Sequence, residues 1–178
     1  MKATMVRVGV LMTVATGLGA AQGADTKMHA CSLLTSAEVA AAVGGTPGPP
    51  SENDIVVSEG PSKGETMGMC TWPAGPQASV SVALVRAPQG APREAGLAKI
   101  KQMFESLKAQ GWSEEKRDFG KGRCVLMTPP SSGKGMPVST GCFAEAKGMG
   151  ISVGHNGGAG VPIDKVKTLL DKAIGRLP

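Results

Sequence analysis

Gly150-Ile151-Ser152-Val153-Gly154 carries the G-x-S-x-G pattern in which serine hydrolases expose a nucleophile on a strained strand-to-helix elbow. His155 follows at once and is the only base nearby, with no histidine further downstream to complete the usual order. The context argues against that chemistry. Met149 to Val153 alternates like a strand, no helix follows directly, and short glycine patterns arise easily in a chain with 26 Gly. A serine hydrolase using Ser152 therefore ranks third among the functional expectations.

Four cysteines, Cys31, Cys70, Cys124 and Cys142, offer either two disulfides or thiolate ligands. An even number in an exported chain favours disulfides, with three possible connectivities. Residues 123–127 and 140–144 read as consecutive antiparallel strands around a Pro/Gly/Ser loop, which places Cys124 within reach of Cys142 and leaves Cys31 for Cys70. The rival chemistry is a soft-metal site for exported copper, Cys70 joined by Met67, Met69, His29 or His155. No compact Cys/His cluster supports it, and no metal site or other cofactor is assigned.

Other catalytic patterns are weaker. Glu114-Glu115 and Glu145 invite comparison with paired glycosidase carboxylates, but adjacent residues of an extended segment face opposite ways, so a solvated edge is expected. Neither G-x-x-x-x-G-K-[ST] nor G-x-G-x-x-G occurs, and Gly120-Lys121-Gly122 and Gly133-Lys134-Gly135 read as turns. No catalytic residue is assigned.

The elements that carry these residues begin after a leader. Lys2 and Arg7 precede an apolar run from Val8 to Ala21, the charged and apolar regions of a secretory signal peptide, too short to span a membrane. Residues 1–24 are read as that signal, with cleavage between Gln22 and Asp25, and residues 25–178 as one disulfide-stapled domain. The chain is expected to be soluble in the periplasm or medium, with no membrane span after cleavage. The 19 basic and 14 acidic residues are scattered, and three Phe, two Trp and no Tyr supply few stacking platforms, so nucleic acid is not an expected partner.

Thr35 and Glu38 form a capping box for a helix from Ser36 to Val43 that Gly44-Gly45 ends. Strands are expected at 55–57, at 67–72 and, with Val80, Val82 and Leu84 on one face, at 79–85. From Pro92 to Gln110, Leu97, Ile100, Phe104 and Leu107 recur at helical spacing, with Gly111 as a left-handed stop and Trp112 folding back toward Leu107. A polar edge at 113–118, the two cysteine strands, the strand at 149–153 and a last helix opened by Pro162 complete the order. Runs of consecutive strands predict an α+β fold: a mainly antiparallel sheet packed against a short N-terminal helix, a central amphipathic helix and a C-terminal helix.

The stretch Cys31-Ser32-Leu33-Leu34-Thr35-Ser36-Ala37-Glu38-Val39, with Cys70-Thr71-Trp72 and a final helix closing on Arg176-Leu177-Pro178, resembles a group of small bacterial exported proteins and lipoproteins, mostly domains of unknown function. The resemblance implies a bridge from the helix-opening Cys31 to Cys70 and brings no catalytic residues. This chain departs from it in the extra pair Cys124 and Cys142. Met28-His29-Ala30 before Cys31 also does not suit a lipid anchor. The leading expectation is a non-enzymatic exported domain that binds an unidentified protein or envelope component through its sheet face or Gly/Pro loops. The second is a small-ligand or copper-binding periplasmic protein. Nothing in the sequence sets the oligomeric state.

Overall fold

The computed structural model describes residues 28–56, 58, 64–86, 102, 104–120, 122–131 and 135–178. The expected signal segment, Val57, and Leu97 and Ile100 of the central helix lie outside the described residues. Seven strands form one antiparallel sheet: β1 Ser51–Val56, β2 Thr66–Gly75, β3 Ala78–Arg86, β4 Ser113–Phe119, β5 Gly122–Thr128, β6 Ser139–Ala146 and β7 Met149–Asn156. Their order is β1-β2-β3-β7-β6-β5-β4. Two meanders, β1 to β3 and β4 to β7, thus meet where β3 pairs with β7. Among the described residues the helices α1 (Ser36–Val43), α2, described over 104–109, and α3 (Ile163–Gly175) accompany the sheet.

The first face of the sheet carries the main core. Cys70 on β2 stands opposite Val82 on β3, Val82 opposite Val153 on β7, Val153 opposite Cys142 on β6, and Cys142 opposite Cys124 on β5. All five residues of this row are 0% exposed. α1 contributes Val39 and Ala42, and α3 contributes Val166, Leu169, Leu170 and Ala173, which cover the row. α3 rests on β6 and β7, while α1 packs beside α3 and against β2. Disulfides join Cys31 to Cys70 and Cys124 to Cys142. The first ties the short 3-10 turn Ala30–Ser32 to β2, and the second links two strands at directly paired positions.

Glu38 holds the helices in place. Thr35 Oγ1 accepts from the Glu38 amide at 3.3 Å, and the Glu38 carboxylate accepts from the Thr35 amide at 2.9 Å, completing the capping box. The same carboxylate receives both arms of Arg176 from the end of α3, at 2.6 and 2.8 Å, and Lys172 at 3.2 Å. Arg176 also donates to the Leu33 carbonyl at 2.9 Å. The Arg176 guanidinium and the Thr35 amide together keep the Glu38 carboxyl far below the usual carboxylate range. Gly44 ends α1 in the left-handed conformation, φ 76°. At the end of α2, the Gly111 amide bonds the Lys108 carbonyl and the Trp112 amide bonds the Leu107 carbonyl, the paired contacts of a Schellman stop.

Two elements differ from the sequence reading. β1 begins at Ser51, not Ile55, because its polar Ser51-Glu52-Asn53-Asp54 run pairs in register with Thr71 to Gly68 of β2. An edge strand exposed at every position needs no apolar alternation; ladder bonds define it. The segment from Ser113 is a strand too, but it is not wholly solvated, since the Glu114 side chain is only 5% exposed. Among the described residues no helix is long and apolar enough to cross a membrane.

Glu38→Gln should cost about 1–2 kcal/mol near neutral pH by removing a charge-assisted capping network. Because the native carboxyl titrates below its unfolded value, its contribution is complete above about pH 4.5 and fades as pH falls toward the native pKa. Urea unfolding should therefore show the gap between wild type and variant narrowing in acid. Replacing Cys31 and Cys70 together by Ser, which opens a loop of sequence separation 39, should cost about 4 kcal/mol. A loss below about 1 kcal/mol in the denaturant midpoint would show that packing alone holds the N-terminal turn.

Candidate functional site

Strand alternation turns Ser81, Ser152, Gly154, Gly141 and Phe143 away from the main core, onto the second face of the sheet. Val125 and Met127 of β5 point the same way and are 4% exposed each, forming a small apolar layer apart from the main core. Between this face and the wall made by Phe104 and Leu107 of α2 and by Trp112 runs an open groove of about 360 Å³. In a chain with three Phe, two Trp and no Tyr, Phe104, Trp112 and Phe143 all line it. The other two aromatics serve the fold: Trp72 is 1% exposed in the core, and the Phe119 ring lies 4.8 Å from Lys167 of α3.

The groove wall is clamped to the sheet edge by charge. Glu114 on β4 receives Lys108 of α2 at 2.7 Å and Lys116 at 3.0 Å. Burial pushes its carboxyl up, but the hydrogen bonds from Lys108 and Lys116 outweigh burial and leave it below the usual value. The residue expected on a solvated edge is thus a buried fastening for α2. Glu115 faces the other way and pairs with Arg117, which reaches Asp164 at the start of α3.

The floor explains the G-x-S-x-G pattern. Gly150, Ser152 and Gly154 share the second face of β7, so the glycines leave a strand surface bare instead of forming an elbow. Gly154 stands directly opposite Gly141 of β6. Glycine inside a strand costs about 0.5–1 kcal/mol relative to alanine, so this paired placement is expensive for the sheet. His155 projects to the first face, where it is 6% exposed opposite Thr140, and burial lowers its pKa. Ser152 and His155 therefore lie on opposite sides of one strand and cannot form a nucleophile–base pair. Among the described residues no side chain lining the groove can exchange a proton near neutral pH, since Cys142 is in a disulfide.

The copper ligands considered from sequence are also separated. Cys70 is oxidised to Cys31 on the first face, whereas Met67 and Met69 lie on the second. Among the described residues, no group of three His, Cys, Asp or Glu side chains could hold a metal ion. Glu145 sits on β6 opposite Gly150 of β7, whereas Glu114 sits on β4 opposite Met127 of β5.

No protein-family model matches the chain, and no curated protein matches it in sequence. Among solved structures it is similar to the extracellular domain of PknH from Mycobacterium tuberculosis, with a TM-score of 0.51 at 14% identity, covering 83% of this chain and 93% of that chain. At this identity the likeness is one of fold.

Phe143 and Gly141 were within reach of sequence reasoning: once Cys142 faces inward, both neighbours face out. The convergence of Phe104 and Trp112 on them was not, because it depends on where α2 docks. Glu114→Gln should release that docking, raising amide exchange at residues 106–109 well above the change at β7 and costing about 1 kcal/mol. Unchanged exchange in α2 would show that the ion pair is idle.

Proposed function

We propose that this chain is an exported, non-enzymatic binding domain, soluble in the periplasm or medium, whose recognition site is the groove between α2 and the second sheet face. The observation that carries this reading is the lining. It gathers three aromatic rings, Leu107 and the hydroxyls of Ser81 and Ser152 around bare backbone, and among the described residues it holds no acid, base or paired nucleophile. Such a surface can desolvate and hold a ligand, while its described side chains offer no group to move a proton at a reacting atom.

Export is supported by both disulfides, which persist in oxidising compartments. The basic and apolar pattern of residues 2–21 points the same way. The resemblance to small exported proteins, carried by Cys31 to Val39 and Cys70-Thr71-Trp72, fits this assignment. An envelope component suits the site better than a large protein face, since the groove offers about 360 Å³ lined mainly by apolar side chains.

A neutral apolar fluorophore, N-phenylnaphthylamine, should bind the mature protein saturably and shift Trp112 emission. Trp112→Ala and Phe143→Ala should each weaken binding roughly tenfold with little change in melting temperature. Wild-type affinity in both variants would remove the groove from the function.

A further inference from the structure

We infer that the groove takes a single hydrocarbon chain, the acyl chain of a monomeric amphiphile, laid along β6 and β7 across the Gly141–Gly154 pair. This rests on the groove being the binding site, and it specifies the ligand.

Among the described residues nothing gives the glycine pair a steric cause. A Cβ on Gly141 would meet nothing within 4 Å, and one on Gly154 only Ser81 Oγ at 3.5 Å and the Thr140 carbonyl at 3.8 Å. Neither residue has a positive φ. Gly122 makes the contrast clear: there a Cβ would strike the Phe119 ring at 2.5 Å and the Phe143 carbonyl at 2.7 Å, so the fold itself demands glycine. At 141 and 154 the missing side chains instead keep a channel open over the sheet. The channel floor runs from the level of Ser139 and Asn156, through the glycine pair, to the level of Phe143 and Ser152. Those levels are four residues apart, or about 13 Å along the strands.

The chemistry of the walls selects the occupant. No charged side chain among the described residues lines the channel, so a formal charge on the ligand must stay outside it. An extended peptide would bring a row of amides needing partners, while the β3, β6 and β7 backbones beneath are already spent on their ladders. Ser139 and Asn156 are bonded to each other, which leaves few side-chain groups to satisfy such amides. A hydrocarbon chain has no such requirement and gains from every methylene that it buries against the three rings.

Dodecanoic acid and its neutral monoglyceride, each below its aggregation limit, test this with the mature protein and Trp112 fluorescence as readout. Comparable affinity for both is expected, because the head lies outside the channel; binding of only one would overturn the chain-centred reading. Gly141→Val should keep or raise the melting temperature while weakening both ligands roughly tenfold or more. Gly141→Ala, the smaller change, should weaken them in the same order. Wild-type affinity in Gly141→Val would overturn the inference. If N-phenylnaphthylamine binds through Trp112 and Phe143 but neither acyl ligand does, the ligand class is wrong and the groove stands. Displacement of the dye by an apolar peptide at lower concentration than dodecanoic acid would also overturn it in favour of a peptide.

Discussion

The structure depends on one buried row that crosses the sheet from Cys70 through Val82, Val153 and Cys142 to Cys124. Its side chains are small, and only one aromatic ring, Trp72, is wholly buried in the main core. Each residue therefore removes modest apolar area from water, and dispersion between short side chains supplies less than a ring-rich core would. Covalent links at both ends of the row offset this. They restrict the unfolded chain, tie the Ala30–Ser32 turn to β2 and fix β5 against β6.

The two faces divide the work. On the first, Glu38 joins the start of α1 to the end of α3 through Arg176, and the aliphatic residues of both helices close over the row. The described residues cover the second face only in part, and there the chain places three of its aromatic rings. Rings withheld from the core and gathered on an open surface are better suited to contact with something outside the chain than to cohesion within it.

Local chemistry made much of the fold legible in the sequence. The capping box at Thr35 and Glu38, the stops at Gly44 and Gly111, and the alternation of Val80, Val82 and Leu84 all act within a few residues. What escaped depends on distant partners. The polar β1 is a strand because β2 lies beside it, Glu114 is buried because Lys108 of α2 reaches it, and Arg176 finds Glu38 across the whole sequence. The G-x-S-x-G pattern was legible as part of a strand with no helix following it, but the glycine opposite it, Gly141 facing Gly154, depends on the register of β6.

The seam between β3 and β7 has a consequence for assembly. It pairs Ser79 with Asn156 and Val85 with Gly150, joining strands whose partners are otherwise their neighbours in sequence. Pairing within each meander closes shorter stretches of chain, whereas the β3–β7 contact carries a larger closure entropy and tends to form later. The groove floor straddles that seam, with Ser81 on one side and Gly154 on the other. The β6–β7 floor itself thus belongs to one meander, and closing the seam adds the Ser81 border of the groove, so the groove is complete once the sheet is whole.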